Sequence, residues 1–183
     1  MLIPFFRYDG GDRSCWRIQI VPDPGLRKLT AQLSQKLQQD RLVQETVTQL
    51  RSRLDCDRVL LYYFYREWQG QVTFESLKAP KFSIFGSTGP DECFNDEYAR
   101  LYQQGRTRAI ADIETEPIHP CHREFLRSLY IRANLVVPIL TPRLWGLLIA
   151  HHCTAPHAWS LDDIEFMKTA AGQLALFPTI CQQ

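Results

Sequence analysis

Three stretches of this chain are apolar almost without a break: Arg58 to Tyr65 (RVLLYYFY), Asn134 to Leu140 (NLVVPIL) and Leu144 to His152 (LWGLLIAHH). Runs of this length that are rich in aliphatic and aromatic residues suit a pleated surface. Without polar alternation they are stable as strands only when both faces are covered. The last two are joined across Thr141-Pro142-Arg143 and form the strongest hairpin signal in the chain. Gln71 to Leu77 alternates after a turn expected at Gln69-Gly70, so it pairs with the first run as a second hairpin, and Thr107 to Ile110 is a brief further strand.

Helical periodicity flanks these strands. Asp23-Pro24 reads as an N-cap and first helical residue, where proline loses nothing because that amide would be unpaired. Leu26, Leu29, Leu33, Leu37, Val43, Val47, Leu50 and Leu54 follow as a helical stripe with one irregular step near Asp40, which permits one long helix or two. Packing against the sheet is the default use of such a stripe, and a dimer seam is the other. A helix is expected from about Asn95 to Gln104, ended by Gly105. Another is expected from Cys121 to Tyr130, with Phe125, Leu126 and Leu129 inward. The last is lined by Leu161, Ile164, Met167, Ala171 and Leu174, opened by a capping box of Ser160 and Asp163 and stopped by Pro178. Residues 1–22 contain Trp16-Arg17-Ile18-Gln19-Ile20, readable as an added edge strand. The order predicts an α/β fold, one sheet with helices on one side and pocket-forming segments on the other. Residues 1–22 would be an extension, 23–180 the domain and 181–183 a tail.

Twenty-one basic and twenty acidic residues leave a formal charge of +1 with no basic run, so neither nucleic acid nor an anionic membrane is an expected partner. No run approaches the ~20 apolar residues of a membrane span, and Met1 to Arg7 lacks the pattern of a secretory signal. A soluble cytoplasmic protein is the expectation. In that reducing setting the six cysteines are not expected to form disulfides, so each is core filler or chemistry. Cys56 and Cys153, at the ends of strands, read as structural, and Cys15 and Cys181 carry no readable signal. Cys93 and Cys121 differ: Asp91-Glu92-Cys93-Phe94 lies in a Gly/Pro-bounded loop and Pro120-Cys121-His122 opens a helix. Together they read as two attachment points for one ligand. His151-His152-Cys153 with His157 invites a metal reading, but adjacent strand residues point to opposite faces, so no metal site is expected. His151 would share its face with Trp145, Leu147 and Ile149.

The element order, with Leu54-Asp55-Cys56-Asp57-Arg58-Val59 opening the first strand and Leu144-Trp145-Gly146-Leu147-Leu148-Ile149-Ala150-His151 in the last, resembles a GAF domain of the cyanobacteriochromes, bilin-binding photoreceptors related to phytochromes. The likeness spans roughly residues 25 to 177. Pro120-Cys121-His122 with Glu124-Phe125-Leu126 looks like the family's helix bearing the attachment cysteine, and Asp91-Glu92-Cys93-Phe94 matches the Asp-X-Cys-Phe motif of its two-cysteine branch. The resemblance implies an antiparallel sheet with helices on one face and a bilin pocket on the other. It also implies phycocyanobilin or phycoviolobilin held by a thioether from Cys121. The pigment would supply photochemistry by 15Z/15E isomerisation and the protein orientation and electrostatics. Cys93 would add reversibly to the central methine bridge, cutting the conjugation and moving absorption to violet or blue. By the same resemblance Asp91 would accept hydrogen bonds from pyrrole N–H groups, His122 would stack near the inner rings, and His151 would lie beside ring D. Tyr102 and Arg106 are candidates for the propionates, or equally solvated side chains, and for Arg108 the solvated reading is preferred.

Such a domain would be a sensor and not an enzyme. Its signal would leave through an output domain or partner outside this chain, such as a histidine kinase, with a homodimer through the terminal helices as one arrangement. Two alternatives stand beside it: a bilin-free dimerisation or partner-binding module, and a thiol-redox GAF enzyme like the free methionine sulfoxide reductases.

Overall fold

The structure, a computed structural model, describes residues 24–66, 69–89 and 96–177, without the side chains of 96–99. Asp91, Cys93, the Asp23 cap, the stretch 16–20 and the stop at Pro178 lie outside the described residues. Five strands form one antiparallel sheet: β1 (Arg58–Arg66), β2 (Gln69–Leu77), β3 (Arg108–Ile110), β4 (Ala133–Leu140) and β5 (Leu144–His152), in the order β2-β1-β5-β4-β3. Among the described residues four α-helices accompany it: α1 (Pro24–Leu54), α2 (Asp96–Gln103), α3 (Pro120–Ser128) and α4 (Leu161–Ala175). None of the described helices is long and apolar enough to cross a membrane.

The apolar runs become the central strands, and they are covered on both faces as their composition demands. Val59, Leu61, Leu135, Val137, Leu148 and Ala150 point to one side and pack with Val43, Val47, Leu50 and Leu54 of α1 and Met167, Ala171 and Leu174 of α4. Their strand neighbours Val136, Leu147 and Ile149 point to the other side and meet Tyr62, Phe64 and Tyr102. A third cluster of Ile110, Ile113, Leu126 and Ile131 joins β3 to α3.

Three local expectations change. Gln69 and Gly70 belong to β2 instead of turning. A Cβ on Gly70 would lie 2.3 Å from the Tyr63 carbonyl oxygen and 2.5 Å from the Tyr62 ring, so the sequence marks a close approach there and not a bend. Trp145 does not share the face of His151. It joins the helix-side core and packs at 5.1 Å against Tyr63, next to the register irregularity between Ile139 and Leu140 that interrupts strand alternation. The leucine stripe is a single helix, but only its C-terminal half is buried. Leu26, Leu29, Leu33 and Leu37 are each about 60% exposed, whereas Val43, Val47 and Leu50 are sealed. Two helix-end signals hold. Gly105 ends α2 with φ +90°, a conformation that costs glycine little. Ser160 and Asp163 form the reciprocal capping box of α4.

The segment from β3 to α3 is tied down by charge. Arg132 donates to Asp112 through two nitrogens at 2.7 and 2.8 Å, and Arg123 donates to the carbonyls of Ile113 and Glu116. Arg127 bridges Glu114 and Glu124. On the opposite edge the loop after β2 zips back along its own strand: Val72 donates to the Ser87 carbonyl and Gly86 to that of Val72.

Candidate functional site

On the sheet face away from α1 and α4 lies a cavity of about 690 Å³. That size suits a small organic ligand or cofactor. Leu60, Tyr62, Val136, Leu147 and Ile149 form its floor. They do so because strand alternation sends these positions away from the helices. The loop after β2 contributes Ile84 and Ser87 to Gly89, α2 contributes Tyr102, and α3 contributes His122, Phe125 and Leu126. Tyr62 holds one wall in place, its hydroxyl oxygen accepting from the Gly89 N–H at 2.8 Å.

Both histidines expected at the site line this cavity. His151 is buried, and its Nδ1 accepts from Arg58 Nε at 2.9 Å. Burial first, and then the nearby Arg58 charge, hold its pKa well below the ordinary value, so it is a neutral imidazole. His122 is half-buried and stacks near Phe125. Burial, followed by the charge of Arg108, lowers its pKa as well. His152 faces the other way, stacked at 4.0 Å on His157 beside Trp159.

Tyr102, buried, and Arg106, half-buried, also line the cavity. Arg108 does so too, against the solvated reading: β3 places it there, and it pairs with Glu116 at 2.5 Å. Two polar groups were not singled out from sequence: Asn134, which lines the cavity, and Arg58, which stands behind His151 and is not part of the lining. Arg58 is fully buried, and its guanidinium donates to the carbonyls of Phe82 and Leu129 besides His151. Asn134 is 5% exposed, and its side-chain oxygen has no hydrogen-bond partner among the described residues. The available signal was a charged or amide residue inside an otherwise apolar strand run.

Cys121 sits in the first turn of α3, one residue before His122, and is exposed. His119 Nδ1 caps the helix by accepting from the Cys121 N–H at 3.3 Å. The sulfur is not the reduced thiol expected. It is disulfide-bonded, whereas Cys56 and Cys153 are free. Cys56 and Cys153 behave as structural thiols: burial pushes Cys56 up to about 12 and Cys153 up to about 11.

The GAF domain profile matches residues 38–176 of the chain. The chain belongs to the GAF family. Among solved structures, this GAF domain is similar to the blue-light absorbing form of the Thermosynechococcus elongatus PixJ GAF domain, with a TM-score of 0.73 and 33% identity over 82% of this chain and 89% of that one. It is also similar to a phycocyanobilin-bound GAF domain from a cyanobacterial phytochrome, with a TM-score of 0.72 and 30% identity over 86% and 92% of the two chains. An uncharacterized protein of Picosynechococcus sp. is 47% identical over 84% of this chain and 94% of its own length. The circadian input-output histidine kinase CikA of Thermosynechococcus vestitus is 32% identical over 82% of this chain, which spans 22% of that kinase. Similar sequence therefore makes up nearly all of one relative and about a fifth of another, a histidine kinase.

Proposed function

We propose that this GAF domain is a bilin photoreceptor whose pigment is attached through Cys121. The observation that carries the reading is the cavity itself. It lies on the helix-free face, with two neutral histidines, two arginines and a buried tyrosine around an apolar floor, beside the helix whose first turn bears Cys121. The likeness to a phycocyanobilin-bound GAF domain supports the choice of ligand class. The residues fit a linear tetrapyrrole: Arg106 and Arg108, both lining the cavity, supply positive charge for its carboxylates. When bound, the bilin supplies light absorption and double-bond isomerisation, and Cys93 a second thiol whose reversible addition shifts the colour.

The chain's own residues do the remaining work. His122 and His151, kept neutral by burial, offer hydrogen bonds without adding charge to the site. The side chains of Leu60, Val136, Leu147 and Ile149 exclude water from the sheet face. The Arg123, Arg127 and Arg132 clamps hold the segment that orients α3, so the sulfur of Cys121 meets the ligand from a fixed direction. We infer a sensor and not a catalyst, with output through a partner or a further domain. The occurrence of similar sequence within a histidine kinase supports that, and the exposed leucines of α1 offer the surface for dimerisation.

The test is co-expression with a phycocyanobilin pathway, followed by absorption spectra and denatured mass of the parent, Cys121→Ala and Cys93→Ala. The parent is expected to carry one covalent bilin and to photoconvert reversibly. C121A is expected to lose stable covalent pigment, and C93A to stay pigmented without its violet or blue state. A colourless parent, or one indifferent to irradiation, overturns the reading. The disulfide on Cys121 favours one alternative, a thiol-redox GAF enzyme. Thiol-dependent reduction of methionine sulfoxide by the bilin-free protein would establish that alternative, and none is expected.

A further inference from the structure

Among the described residues the cavity lining holds two arginines, Arg106 and Arg108, and no aspartate or glutamate. One carboxylate nevertheless acts on it from just outside the lining: Glu116 accepts from Arg108 Nη2 at 2.5 Å. The pair is shielded but not sealed, its side chains being 29% and 27% exposed. Pro117 and Ile118, which follow Glu116 in the chain, do line the cavity. The glutamate is placed by its backbone. Its N–H donates to the Asp112 carbonyl at 3.0 Å, and its own carbonyl accepts from Arg123 and from the Ile118 N–H, each at 2.8 Å. Asp112 is fixed in turn by Arg132. The carboxylate therefore stands on a tethered loop and the arginine on β3. A guanidinium has five N–H donors, and the contact with Glu116 engages one nitrogen. Among the described residues the rest of the Arg108 guanidinium meets no other acceptor.

We propose that Glu116 is a specificity-determining residue, a resident carboxylate that occupies Arg108 while the cavity is empty and competes for it with a carboxylate of the ligand. The ligand in question rests on the bilin reading above, since a linear tetrapyrrole carries two propionates. As a pair, Arg108 and Glu116 have no net charge, so this arginine exerts little pull on an anion at a distance. A small anion gains nothing else from an apolar cavity and leaves the pair intact. A tetrapyrrole also buries its rings against Leu60, Val136, Leu147 and Ile149, and that burial presents its propionate to Arg108 at high effective concentration. The unused donors let the guanidinium accept the second carboxylate before the first has left. Two carboxylates at one guanidinium repel each other, and this repulsion is the selective element: it rejects anions that bring no apolar body with them. A purely positioning role makes the opposite forecast. If Glu116 only held the Arg108 side chain in place, removing its charge would not strengthen anion binding.

Glu116→Gln removes the charge and keeps a side-chain oxygen that accepts, so it separates competition from positioning. On the reduced, bilin-free protein the probe is the anionic dye 8-anilinonaphthalene-1-sulfonate, followed by its fluorescence. E116Q is expected to bind the dye roughly threefold more tightly than the parent, the scale of a partly exposed ion pair. The gain should shrink as salt is raised and vanish when Arg108→Met is added. An affinity in E116Q equal to or weaker than the parent's overturns the competition. Phycocyanobilin and its dimethyl ester are then added to the same reduced proteins, and covalent loading is timed. E116Q is expected to load the free acid roughly threefold faster than the parent does, and the ester at the parent's rate. Equal acceleration of both pigments, or of neither, overturns the role toward the ligand's carboxylates. A parent that loads neither pigment sinks the photoreceptor reading, and the dye titration then decides the part of Glu116 separately.

Discussion

Tyr62 faces the cavity, and its hydroxyl is the anchor for Gly89, which leads straight toward Asp91 and Cys93. Removing that hydroxyl strands the Gly89 N–H in a half-buried place. Tyr62→Phe is therefore expected to lower stability by about 0.5–1.5 kcal/mol, measured as a shift of the urea midpoint at unchanged m-value. An unchanged midpoint would show that water replaces the bond at no cost. Cys121 leads to a different expectation. A sulfur already in a disulfide cannot add to a carbon–carbon double bond, so bilin attachment to purified protein should require prior reduction. Mixing with phycocyanobilin with and without a thiol reductant checks this, and equal covalent loading in both would refute it. At this scale the sequence was uneven. His122, His151 and Cys121 were legible through the family resemblance of their motifs, and the two histidines line the cavity. Arg58 and Asn134 were hidden inside apolar strand runs. There a polar residue has no periodic signature of its own, and its partners lie on strands far away in the chain.

The helix α1 divides at Asp40 into two halves with different jobs. Val43, Val47, Leu50 and Leu54 belong to the core shared with α4 and the sheet. Leu26, Leu29, Leu33 and Leu37 remain exposed. Leu50→Ala is expected to cost about 2–5 kcal/mol in denaturant unfolding, the usual range for a buried leucine truncated to alanine. Leu29→Glu with Leu33→Glu should barely alter the unfolding of the domain, but should convert a dimer to a monomer in light scattering if the row is the seam proposed above. A parent that is already monomeric would remove that role. The amphipathic period of this helix was readable throughout. What covers each half was not, because periodicity reports that a face is apolar and says nothing of what lies against it.

Across the whole molecule the buried histidines set a pH dependence whose sign follows from their shifts. His151, His122 and His152 all have folded pKa values below the ordinary 6.5, burial being the largest cause in each. As pH falls through 6.5 the unfolded chain takes up protons that the folded chain refuses. Stability is therefore full above that pH and declines below it, until the folded values are reached. The paired carboxylates Asp112 and Glu114, lowered chiefly by hydrogen bonds from Arg132 and Arg127, push the same way at more acidic pH. Thermal midpoints of the bilin-free protein should thus be level from pH 8 to 7 and drop from pH 6 to 5, and a flat profile would contradict the burial of His151. The sequence alone determined the central strands, the helix end at Gly105, the capping box at Ser160 and the two-faced cover of the sheet, because these depend on local period, caps and turn residues. Tertiary structure alone decided that Arg58, His151 and Asn134 stand in one row, that Trp145 turns to the helix side and that Arg108 joins the cavity. Strand register and pleat bring together residues up to 93 positions apart, as with Arg58 and His151, and no local pattern encodes which of them will meet.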